Sequence, residues 1–142
     1  MKLFLDTSSL IKLYHAETGT EELDDIIETG SIDEIFLSYI TIIEFSSAIW
    51  KKVRTKELSK EIALEITGAF SNDFSSYTLI PVSNDLIFQA KELVSKYANK
   101  GLRTLDSIQL ASIISVKNDI AFAISADNLL NSIINLEGIK TV

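Results

Sequence analysis

The chain has 142 residues, 46% of them hydrophobic, which suits one globular domain with a sizeable core, so residues 1–142 are read as a single domain. It carries no cysteine and one histidine, His15, which excludes a disulfide framework and a thiolate metal site and leaves no basis for a histidine zinc site or a Ser-His-Asp triad. A net charge of −7 disfavours simple coating of nucleic acid, although acids gathered around divalent cations remain compatible with a nucleic-acid enzyme.

The first stretch, "KLFL", reads as a buried strand, and Asp6 interrupts the apolar run at its end. Helical patterns follow over Ser8–Ala16 and Glu21–Thr29, the second stopping at Gly30, and lead to a strand at "EIFLSY". Thr41–Arg54 and Ser59–Phe70 are helical, and "YTLIPV" is the third strand. A helix over Asn84–Asn99 has Ser83 as its N-cap and Gly101 past its end. Thr104–Val116 is a further helix; the strand "AFAIS", a helix over Asn128–Leu136 and a last strand "IKTV" complete the chain. Strands alternating with helices predict a three-layer α/β/α sandwich around a five-stranded parallel sheet. Ligands of such sheets gather at the carboxyl ends of the strands, where strand order reverses, and Asp6 stands at such an end. The N-terminus lacks the pattern of a signal peptide, and no stretch approaches the ~20 apolar residues of a spanning helix, so a cytoplasmic protein with no membrane partner is expected.

Most of the 20 Asp and Glu residues lie in polar stretches and read as solvated helix faces. Four do not. Asp6 ends the first strand, Glu44 sits inside "ITIIEFSSAIW", Asp106 opens the apolar helix "LDSIQLASIIS", and Asp127 follows "AISA". Each has a plain alternative: Asp6 and Asp127 as helix caps, Asp106 as a partner of a helix dipole, Glu44 on a narrow exposed stripe with Lys51. Together they carry more weight. Burying an unpaired carboxylate costs several kcal/mol, and the neighbouring apolar helices offer almost no cations besides Arg103 and Lys51. Four converging carboxylates repel one another unless cations sit between them, and oxygen-only ligands of this kind suit Mg²⁺ or Mn²⁺.

The ordered set "FLDTSSLIKLY", "SYITIIEFSSAIW", "LRTLDSIQLAS" and "AISADNLL…LEGIKTV" resembles the successive motifs of PIN-domain ribonucleases, especially the VapC toxins of toxin–antitoxin pairs. The resemblance spans nearly the whole chain and implies the strand order 3-2-1-4-5, with Asp6 and Asp127 flanking the switch point. It implies Asp6, Glu44, Asp106 and Asp127 as the acidic catalytic quartet, and Thr7, Ser8 and Ser125 as hydroxyls that shape the site. Ser125 stands where the family commonly has Thr, and Ile133 and Ile134 stand where small alanines are usual.

The expected activity is metal-dependent hydrolysis of RNA phosphodiester bonds. Asp6, Asp106 and Asp127 would hold Mg²⁺ or Mn²⁺, and Glu44 would bind metal through water or act as a base, with one metal and two equally open. Arg103 and the basic run with Lys51 and Lys52 are candidates for RNA contact, against the plain reading of solvated helix ends. His15 and Trp50 read as packing residues. A haloacid-type phosphatase needs a second Asp where Ser8 stands, and a receiver domain needs a late strand-end Lys that "AISAD" lacks. The remaining alternative is a catalytically inactive PIN-like module that binds RNA or regulates. The resemblance further implies an antitoxin partner and a homodimer.

Overall fold

The computed structural model describes residues 1–142. Its first strand, β1 (Lys2–Leu5), buries Leu3, Phe4 and Leu5 completely. Alternation along the strand splits these side chains between the two faces of the sheet. Phe4 joins Phe36, Leu110, Ile113, Ala123 and Ile133 in one core, while Leu3 and Leu5 join Leu10, Leu37, Phe45 and Ile49 in the other. Truncating a ring such as Phe4 to Ala would cost about 3–5 kcal/mol, the lost burial of the ring plus the cavity left behind.

The remaining strands are β2 (Glu34–Ser38), β3 (Thr78–Ile80) and β4 (Phe122–Ile124). All pair in parallel, in the order β3-β2-β1-β4, with Phe4 opposite both Phe36 and Ala123. The expected α/β sandwich is present, but its five-stranded sheet is corrected to four strands. The "IKTV" stretch meets the sheet only through one bridge, Thr141 to Ala123, with Ala123 N donating to Lys140 O at 2.9 Å. β4 is three residues long, and the chain turns through Gly138 (φ 78°) two residues after the last helix, so little extended backbone lies side by side there.

The helices are α1 (Thr7–Leu10, continued as a 3₁₀ turn over Ile11–Leu13), α2 (Thr20–Thr29), α3 (Thr41–Arg54) and α4 (Lys60–Asn72). They are followed by α5 (Asn84–Lys96), α6 (Thr104–Ser115) and α7 (Asn128–Leu136). Local caps explain several starts: Ser59 accepts from Ile62 N and Ser83 from Leu86 N, each at 3.2 Å. After α5 the chain turns through Gly101, whose φ of 73° only glycine adopts without strain. The helix α6 is buried from Ser107 to Ile113, so its polar residues Ser107, Gln109 and Ser112 must find partners inside the protein. No helix is long and apolar enough to cross a membrane. Trp50 and Tyr14 pack at the margin of the core on the α3–α4 side.

Candidate active site

Asp6 and Asp127 follow adjacent parallel strands, Asp106 lies in the first turn of α6, and Glu44 in the first turn of α3. The fold brings all four into one cleft of about 240 Å³, together with Thr7, Ser8, Arg103 and Gln109. It opens at the carboxyl ends of the central strands, where β1 separates neighbours on either side.

Asp6 is 4% exposed and held by three donors. Its Oδ1 accepts from Ser9 N at 2.9 Å; Ser8 Oγ reaches Oδ1 at 2.7 Å and Oδ2 at 2.9 Å; and Ser125 Oγ donates to Oδ2. The bond to Ser9 N makes Asp6 the N-cap of α1, so the capping role and the position in the cleft belong to the same carboxylate. Asp127 does the same for α7, accepting from Leu130 N at 3.0 Å. Burial pushes the Asp6 carboxyl above its usual range despite the bonds from Ser125, Ser8 and Ser9.

Glu44 is half-buried. Its Oε1 accepts from Thr7 Oγ1 at 3.0 Å and from Gln109 Nε2 at 2.7 Å, leaving Oε2 without a protein partner. Burial raises its pKa, the bonds from Gln109 and Thr7 oppose the rise, and repulsion from Asp106 and Asp6 adds to it. Gln109 Nε2 also lies 3.1 Å from Thr7 Oγ1 and 3.0 Å from Thr41 Oγ1. Gln109 and Thr41 were absent from the sequence-derived set. The available signal was Gln109 itself, a long polar side chain about one turn after Asp106 in a helix whose other buried polar residues, Ser107 and Ser112, are small.

Of the three expected RNA-contacting cations, two are engaged. Arg103 Nε lies 3.2 Å from Asp106 Oδ2, and its Nη2 lies 3.6 Å from Asp127 Oδ2. Lys52 lies between Glu17 and Glu57. Lys51 is exposed beside the cleft.

The potential ligands in the cleft fit a hard divalent cation: they are oxygens, chiefly the four carboxylates with the Thr7 and Ser8 hydroxyls, and two of the carboxyls have ionised forms disfavoured by burial. In this conformation no three carboxylates approach closely enough to share one ion, and the Arg103 guanidinium supplies positive charge between Asp106 and Asp127.

Comparison with known proteins agrees with this architecture. The PIN domain family matches residues 3–133. By sequence, no curated protein matches. Among solved structures, VapC20 of Mycobacterium tuberculosis, described as a sarcin-ricin loop cleaving toxin, superposes with a TM-score of 0.73 at 16% identity over 99% of this chain and 98% of that one. A toxin–antitoxin complex from Klebsiella pneumoniae gives a TM-score of 0.63 at 19% identity, over 88% of this chain and 86% of that one. VapBC2 of Rickettsia felis, bound to a promoter DNA fragment, gives 0.63 at 16% identity over 100% and 99%. The family match covers the strand-end acids and the helices that carry the other two, and on that ground the chain belongs to the PIN domain family.

Proposed function

We propose that the protein is a Mg²⁺- or Mn²⁺-dependent endoribonuclease that hydrolyses RNA phosphodiester bonds, acting in the cytoplasm as the toxin of a toxin–antitoxin pair. The observation that carries this reading is the meeting of Asp6, Glu44, Asp106 and Asp127, from four separate segments, in one cleft of a PIN-domain fold.

Asp6, Asp106 and Asp127 would hold the metal, with Ser8 turning from Asp6 to open a lone pair on a carboxylate whose two oxygens stay held by Ser9 N and Ser125 Oγ. When bound, a divalent ion supplies Lewis-acid activation of water and offsets the charge that builds on the phosphate. Ser125 and the Ser9 amide keep Asp6 aimed, since both bonds are fixed by the strand end and the start of α1. Glu44 Oε2, free of protein partners while Oε1 is pinned, accepts a proton from the attacking water. Arg103 must leave at least one of its two carboxylates, and is then available to the substrate phosphate.

An inactive binding module is the second reading, and the hold of Arg103 on Asp106 and Asp127 is the observation in its favour. Incubation of the purified protein with total RNA and Mn²⁺ decides between them. Cleavage that requires metal and disappears in Asp6→Asn supports the enzyme. An intact fold with no cleavage and no Mn²⁺ binding by calorimetry supports the module.

The partners follow from the same reading. The Klebsiella pneumoniae structure is a toxin–antitoxin complex, and we extend that pairing to this chain. The exposed apolar side chains Tyr39, Ile43 and Phe88 offer surface for an antitoxin or for a second copy in a homodimer.

A further inference from the structure

The carboxylate cleft continues past the acids. Ser8, Ile11 and Ala48 line it and also line a second groove of about 300 Å³, so the two form one trough. Helix α3 forms its wall: Glu44, Ala48 and Lys51 recur on one face, at a spacing of one helical turn. Lys51 therefore lies two turns beyond Glu44, about 10 Å along the helix axis.

The cations near the trough differ in availability. Lys52 Nζ lies 3.5 Å from Glu17 Oε2 and 3.3 Å from Glu57 Oε2, with its side chain 21% exposed. That ammonium is committed to two carboxylates, and it in turn offsets their repulsion of an incoming anion. Arg103, across the cleft, is committed to Asp106 and Asp127. Lys51 is exposed, lines the groove and forms no ion pair.

We infer that the second groove is a subsite for a flanking phosphate of an RNA strand whose scissile phosphate lies at the carboxylates, and that Lys51 is its contact. The inference rests on RNA hydrolysis at those carboxylates. A chain of net charge −7 that draws a polyanion into an acidic cleft needs a free cation in line with it, and Lys51 is the one so placed. A phosphate contact positions the strand without reading its bases, so the effect of Lys51 is uniform across RNA sequences.

The test compares Lys51→Ala with Lys91→Ala, a loss of the same charge on the exposed face of α5, both in the Asp6→Asn background that prevents cleavage. Binding of fluorescein-labelled single-stranded RNA oligonucleotides of several sequences is followed by anisotropy over a range of salt concentrations. Lys51→Ala should weaken binding roughly tenfold for every sequence, as expected for loss of a charge-assisted contact. It should also lower the slope of log affinity against log salt by about 0.7. Lys91→Ala should leave both unchanged. Equal effects of the two substitutions would overturn the subsite while leaving the nuclease reading intact. RNA that binds none of the proteins, with no cleavage by the unaltered chain, would overturn both.

Discussion

Ser125 Oγ donates to Asp6 Oδ2 across 119 positions of sequence, and the same oxygen accepts from the Asp127 amide at 3.0 Å. One hydroxyl thus ties the acid at the end of β1 to the acid that follows β4. Ser125→Ala should leave a buried carboxylate oxygen and an amide each short of a partner, at a cost of about 1–3 kcal/mol. Urea denaturation measures that loss, and cleavage should fall with it. Ser125→Thr keeps the hydroxyl and should restore both; a threonine variant as impaired as the alanine one would place the effect in packing.

Gln109 connects α6 to Thr7 and Thr41 and holds Glu44 through Oε1. Gln109→Leu is expected to lower the cleavage rate with little change in KM, because it releases a carboxylate without touching the RNA. The same substitution in a Glu44→Gln background should cost little more activity, since the residue it positions is already neutral. Full additivity of the two losses would show that Gln109 acts independently of Glu44.

Arg103 is 75% exposed on its side chain, so its ion pairs contribute at most about 1 kcal/mol to folding. Its effect on metal should be larger. Removing a guanidinium from beside Asp106 and Asp127 leaves two acids for a cation to bind, so Arg103→Ala should tighten Mn²⁺ several-fold in calorimetry. Thermal stability without metal should hardly move. Unchanged or weaker Mn²⁺ binding would mean that Arg103 does not compete for the site.

Far from the cleft, Glu137 accepts from Lys96 Nζ at 2.8 Å and from Tyr97 Oη at 2.6 Å. Burial pushes its carboxyl up, but the Lys96 and Tyr97 bonds outweigh burial and hold it below the ordinary glutamate range. A depressed folded pKa adds stability that is full above the unfolded value, about 4.3, and is lost as pH falls through the folded value. Glu137→Gln should therefore reduce stability at neutral pH and flatten the acid limb of the stability curve. Parallel acid limbs in the variant and the parent would sink this assignment.

Much of the fold was legible because burial leaves a periodic trace. The apolar "KLFL" and the cap at Ser83 appear in the structure where the pattern predicts them, as does the helix from Thr104. The failures fall where burial leaves no such trace. "YTLIPV" shrinks to Thr78–Ile80, with Pro81, which has no N–H to give to a ladder, directly behind it. "IKTV" has the composition of a strand, yet whether it joins a sheet depends on how much neighbouring backbone runs beside it, and β4 offers little.

The four acids could be singled out from sequence because an ionisable residue in apolar company is costly wherever the chain folds. What surrounds them could not. Thr7 meets Thr41 across 34 positions and Gln109 across 102, distances that only the parallel register of β1, β2 and β4 converts into contact. The same holds for the cations: Lys51 and Lys52 are adjacent and alike in sequence, and Arg103 carries the same charge. One helical step turns Lys52 toward Glu17 and Glu57 and leaves Lys51 along the trough, while α6 sets Arg103 against Asp106 and Asp127. Composition and period determined the layers and the acids, because both follow from the cost of taking each side chain out of water. Which partner each polar group keeps was decided by tertiary structure, because a hydrogen bond or ion pair requires atoms within a few ångströms, and only the packed sheet and helices set that distance.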